Sequence, residues 1–163
     1  MAEALPVRDV VPNILTVTMN RSTRPGHPLS VQDCMRVRNA RRTGRNAVLG
    51  WGLGVYGDTV ELLVGELLTN AFEHGRGNVA LRLCRGDRQV RIDVVDDLRK
   101  LRLTALPGEE LTESGRGLAL VEALAESWGV TPDGFGVWCA VAVTGPQGIH
   151  HDAPHLREPN HDR

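Results

Sequence analysis

The chain has 163 residues, enough for one domain with a real core plus tails. Hydrophobic content of 41% and charged content of 24% are those of an ordinary globular protein, and the formal net charge of -1 argues against nucleic acid or an anionic membrane as the main partner. The basic residues are almost all arginine, with Lys100 the only lysine, which genomic base composition explains without a functional cause.

Cys34, Cys84 and Cys139 are odd in number, widely separated and in no metal-ligand spacing, so they read as reduced thiols of an intracellular protein. No basic segment followed by an apolar core marks a signal peptide at the N-terminus. No apolar run approaches the roughly 20 residues of a membrane span. A cytoplasmic location follows as an expectation.

Residues 1–29 form a mixed segment. Asn13 to Met19 predicts a short edge strand, and Arg21 to Pro28 is rich in turn residues and reads as loose. From Ser30 the pattern becomes helical. Val31, Met35, Val37 or Arg38, and Ala40 supply an apolar stripe, with Arg36, Arg38, Arg41, Arg42 and Arg45 on the other face. That basic run fits a solvated helix face, or a surface for an acidic protein partner. The glycines of Val48 to Val55 close this helix.

The stretch Asp58 to Gly75 reads as the organising amphipathic helix. Val60, Leu63, Val64, Leu67, Leu68 and Ala71 recur at helical spacing. Asp58 with Glu61 predicts a capping box, and Gly75 predicts a left-handed C-terminal stop. Glu66 and Asn70 are four apart and leave the same side of the helix, with Glu73 or His74 extending that side by a turn. A carboxylate and a carboxamide so placed can share one ligand. Mg²⁺ needs only one or two protein oxygens beside phosphate oxygens, and Asn70 can give one. Glu66 can then take a proton from a group attacking phosphate. The same spacing also occurs on exposed helix faces that bind nothing.

Next, Val79, Leu81 and Leu83, then Val90, Ile92 and Val94, alternate on either side of the turn Arg85 to Arg88, predicting an antiparallel hairpin with one face on the core. Asp96 stands where the second strand ends. A carboxylate there can accept from the exocyclic amine of adenine, or can serve as an ordinary turn residue; Asp97 competes for either role. Residues 98–114 form a long polar connection of the kind that is functional or mobile.

Gly115-Arg116-Gly117-Leu118 then opens a helix running to Trp128, with Leu118, Val121, Leu124, Ala125 and Trp128 on its buried side. Glycines at a helix start let backbone N–H groups approach an anion closely. Arg116 adds a side-chain contact or faces solvent. Gly129 to Gly134 reads as a turn. Val137, Cys139, Val141 and Val143 alternate in a last strand. Residues 146–163 read as a disordered tail, and its histidines His150, His151, His155 and His161 lack the fixed framework a metal site needs. The chain divides into an N-terminal segment (1–29), a central domain (30–145) and a tail (146–163).

Each motif alone is common, but their order is not. Glu66-Leu-Leu-Thr-Asn70-Ala-Phe-Glu-His-Gly75, then Asp96 after a strand, then Gly115-Arg-Gly-Leu-Ala-Leu-Val121, Trp128-Gly129 and Gly136-Val-Trp138 resemble the GHKL (histidine-kinase-like) ATPase domain. More narrowly they resemble the anti-sigma-factor serine/threonine kinases of actinobacterial type, over residues 30–144. The resemblance implies an α+β fold, a two-layer Bergerat-type sandwich with a mixed, mostly antiparallel sheet and helices on one face. It implies ATP and Mg²⁺ as cofactors, Glu66 as general base, Asn70 as the Mg²⁺ ligand, and Asp96 as the adenine reader. Glu73 joins the nucleotide contacts, and the backbone at Gly115, Arg116, Gly117 and Leu118 holds phosphates. The segment from Leu98 to Ser114 would cover the triphosphate. The implied partners are a sigma factor and an anti-anti-sigma protein, the latter phosphorylated on serine or threonine, and the implied assembly is a homodimer. Two positions depart from the family pattern: Leu98 replaces a small residue, and Val137 replaces a threonine whose hydroxyl helps bind adenine. A non-catalytic anti-sigma module that sequesters its partner is the alternative these departures raise.

Overall fold

The computed structural model describes residues 8–11, 13–100 and 113–144, and for 8–11 and 113–116 only the backbone. Six strands form one sheet in the order β1-β2-β3-β4-β6-β5: β1 Arg8–Val11, β2 Ile14–Met19, β3 Val79–Arg85, β4 Gln89–Val95, β5 Ser127–Val130 and β6 Gly136–Ala142. Three helices, α1 Val31–Gly50, α2 Gly57–His74 and α3 Glu113–Leu124, complete the α+β sandwich. Every strand pairing among the described residues is antiparallel, so the sheet is not mixed.

Alternation builds the sheet's buried face. Leu15 and Val17 of β2, Leu81 and Leu83 of β3, Val90, Ile92 and Val94 of β4, and Cys139 and Val141 of β6 are all buried. The apolar stripe of α2 lies against this face through Val60, Leu63, Val64, Leu67, Leu68 and Ala71. Burying a side chain the size of Leu or Phe stabilises by about 1.5–3 kcal/mol, which makes α2 the most heavily anchored helix. Burial pushes the Cys139 thiol up to about 12, with the nearby Asp93 carboxylate adding to the effect. Cys34, by contrast, is exposed.

The structure corrects several sequence expectations. The strand after Asn13 is not at the edge, because β1 pairs outside it through a tight turn in which Asn13 takes a left-handed conformation (φ 68°). Nor is the segment after β2 loose. The buried Asp33 carboxylate accepts from the backbone of Ser22 and Thr23, and Arg36 donates to it at 2.6 Å. Ser30 caps α1 by accepting from Asp33 N–H. Consequently α1 buries Val37, Ala40, Gly44 and Val48, while Val31 and Met35 stay 78% and 60% exposed. Asp58 is no cap for α2. A 3₁₀ turn, Gly54–Tyr56, leads into that helix one residue early, and Asp58 and Glu61 both pair with Arg45 of α1.

The helix predicted through Trp128 ends at Leu124, whose side chain is exposed, and Ser127–Val130 pairs with β6 as an edge strand rather than forming the start of a turn. No helix among the described residues is long and apolar enough to cross a membrane. Residues 101–112 of the long connection and the whole tail from 146 lie outside the described residues.

Candidate nucleotide site

One face of α2 carries Glu66 and Asn70, and both are half-buried. Helix α3 lies over them with a glycine at the contact. A Cβ on Gly117 would stand 2.9 Å from Glu66 Oε2, 3.3 Å from Asn70 Nδ2 and 3.5 Å from Asn70 Oδ1. The two polar side chains therefore meet the bare backbone of α3, with only the space of a missing methyl group between them. Gly115 and Arg116 fall in the backbone of the first turn of α3, and Leu118 follows Gly117, half-buried. The glycine motif is thus the opening of α3 itself, where free N–H groups and the positive end of the helix favour an anion. The Arg116 side chain lies outside the described residues.

The end of α2 makes the second half of the site. Arg21 clamps its last turn: Nη2 donates to the Ala71 carbonyl at 2.7 Å, Nη1 to that of Phe72, and Nε to that of Gly77 at 2.9 Å. Its guanidinium also stacks 5.7 Å from the Phe72 ring centre. Cations suit a helix C-terminus, and here one side chain serves the Phe72 carbonyl and adds a second bond to that of Ala71, which also accepts from Gly75 N–H at 2.9 Å. Gly75 follows, not in the left-handed conformation expected of a stop but extended (φ -84°, ψ -168°). Its need for glycine is space. A Cβ there would lie 2.3 Å from Asp96 Oδ2 and 2.5 Å from the Ala71 carbonyl.

Asp96 is therefore pressed against the backbone at the end of α2, and only 3% exposed. Its Oδ1 accepts from Leu98 N–H at 2.6 Å, and its Oδ2 from Lys100 Nζ at 2.8 Å. Asp97 is exposed, with its carboxylate folded over Gly77, so of the two neighbours only Asp96 points into the fold. Val137 is buried in register with Val94 of β4 and Val130 of β5, and the hydroxyl of Thr131, which follows β5, is occupied by Asp133 and Gly136 N–H. Those contacts hold the Asp133 carboxyl below the usual range, the Thr131 hydroxyl being the main cause.

The structure thus brings Glu66, Asn70 and Gly117 into one cluster and sets Asp96 at the end of the same helix. Four residues, 71–74, carry the helix from Asn70 to its end before Gly75, a rise of about 6 Å. Glu73, between the two clusters, is half-buried and lies 3.7 Å from the His74 ring. Lys100 is the residue that sequence reasoning missed. Its signal was slight: the chain's only lysine, four residues after the candidate carboxylate.

As to metal, no group of three or more His, Cys, Asp and Glu side chains is assembled among the described residues, which rules out an all-protein cage there. The half-buried Asn70 offers the single neutral oxygen that suits a cation held mainly by phosphate and water oxygens, as Mg²⁺ is.

This arrangement, a helix bearing Glu66 and Asn70 under a glycine-led helix and over an antiparallel sheet, is that of an ATP-binding, kinase-like sandwich. The model of the histidine kinase-like ATPase domain matches residues 31–140, and the chain belongs to that family. No curated protein matches the chain.

Proposed function

We propose that the protein is an ATP-dependent serine/threonine kinase of the anti-sigma type, which moves the γ-phosphate of ATP to a hydroxyl of an anti-anti-sigma partner. The observation that carries this reading is the approach of Gly117 to Glu66 and Asn70, which sets a carboxylate and a carboxamide beside the opening turn of α3.

In this reading the triphosphate rests on the first turn of α3, held by backbone N–H groups at Gly115, Arg116, Gly117 and Leu118. Asn70 would supply one oxygen to Mg²⁺, and the cation would spread the charge of the phosphates. Glu66 holds the partner's hydroxyl and takes its proton as the oxygen attacks the γ-phosphorus. The bond to the β-phosphate oxygen breaks, and ADP leaves. Asp96 accepts from the adenine amine, which guanine lacks at that position. Glu73 lines the approach between the two ends. The sigma factor and the anti-anti-sigma protein are the partners, in the cytoplasm, with the kinase as a homodimer.

A second reading, an anti-sigma module that sequesters its partner without catalysis, draws on the engagement of Asp96 by Lys100 and Leu98 and on the absent hydroxyl at Val137. Incubation with radiolabelled ATP, Mg²⁺ and an anti-anti-sigma protein separates the two. The kinase predicts label on a partner serine or threonine, lost in Glu66→Gln while ATP binding persists. An ATP-saturated protein that labels no such partner overturns the kinase and favours the binding module.

A further inference from the structure

Lys100 has no part in the chemistry above, yet its ammonium is fully engaged beside Asp96. Its ammonium donates to Asp96 Oδ2 at 2.8 Å and to the carbonyls of Leu98 and Phe135, both at 3.0 Å. An ammonium has three N–H donors, so this set of acceptors is complete. The backbone holds the residue as well: Lys100 N–H donates to the Gly134 carbonyl at 2.6 Å, and Asp96 N–H to that of Phe135 at 3.1 Å. The strap 98–100 is thereby pinned to the turn between β5 and β6. At the centre the Asp96 side chain is wholly covered, and that of Lys100 is 15% exposed.

We propose that Lys100 is a built-in competitor of the nucleotide base for Asp96. The inference rests on the reading of Asp96 as the group that accepts from adenine. Oδ1 accepts from Leu98 N–H, Oδ2 lies between the Gly75 backbone and the ammonium, and the side chain is wholly covered, so an amine reaches neither oxygen while the ammonium stays. The base gains its acceptor when Nζ leaves. Base binding and release of the strap from the β5–β6 turn are then one event, and the Lys100 ion pair lowers nucleotide affinity by the fraction of molecules in which it is closed. Lys100 thereby tunes the site and reports its occupancy.

Two measurements on the full chain test this. In calorimetry with Mg²⁺-ATP, Lys100→Met removes the competitor and should bind on the order of tenfold more tightly than wild type, the scale of one charge-assisted hydrogen bond. Equal or weaker binding by a variant that is folded overturns the competition and leaves the ATP site standing. Absence of binding by both proteins overturns the base site and the competition with it.

The second measurement needs no variant. Because Lys100 is the only lysine, acetylation of its ε-amine, read by peptide mass spectrometry, has a single target apart from the N-terminus. Saturating adenosine, which brings a base and no phosphate to shield the amine, should raise the acetylation rate several-fold. An unchanged rate with adenosine bound overturns the proposal.

Discussion

A methyl group on Gly117 would stand 2.9 Å from Glu66 Oε2. That one contact makes α3 complementary to the polar face of α2, and it separates function from stability. Gly117→Ala places its methyl against the far end of a flexible side chain, which can turn aside, and alanine favours a helix over glycine by about 0.5–1 kcal/mol. The melting temperature should hold or rise slightly, while the phosphoryl transfer proposed above falls at least tenfold because the methyl displaces Glu66. Thermal melting and single-turnover kinetics on the same preparation check both halves.

Gly75 behaves in the opposite way. Its missing Cβ faces Asp96 Oδ2 and also the backbone carbonyl of Ala71, which Arg21 holds in place. Neither can give easily. Gly75→Ala should therefore cost about 2 kcal/mol of stability, the scale of an overpacked core position, and should weaken ATP binding. Chemical denaturation and ATP titration measure the two effects. An alanine variant as stable as wild type would contradict the packing described for Asp96.

Asp33 fixes the connection from β2 to α1. Burial alone would raise its carboxyl, but the Thr23 and Ser22 contacts and Arg36 outweigh it and hold the group below the usual carboxylate range. A carboxylate with a lowered folded value contributes stability that is complete above the ordinary range and is lost as pH falls through that range towards the folded value. Asp33→Asn should cost about 2–3 kcal/mol near neutral pH and less in acid, so the gap between variant and wild type narrows as pH drops. A gap that stays constant down to strongly acidic pH would rule out this assignment.

Much of the fold was legible because its signals are local and periodic. Helix α2 declared itself by apolar residues at helical spacing, and β3 and β4 by strict alternation on either side of a short turn. Strand β5 was hidden because Ser127-Trp-Gly-Val130 has no alternation of its own and becomes a strand through its pairing with β6. The start of α2 was misjudged because Asp58 finds Arg45, a partner thirteen residues away on another helix. At the site, Glu66, Asn70 and the glycine motif were readable from order and spacing. Two things were not. The reason for Gly75 is a contact with a residue 21 positions later. Lys100 acquires its meaning from carbonyls supplied by the β5–β6 turn.

The central claim is that a nucleotide lies along α2, with its base at Asp96. Calorimetric titration of Mg²⁺-ATP into wild-type protein and Asp96→Asn tests it most directly. The account predicts saturable one-to-one binding by wild type and a loss of at least tenfold in the variant, whose amide nitrogen would face the adenine amine donor to donor. Equal affinity in the two proteins, or no binding by wild type at millimolar ATP, would contradict it.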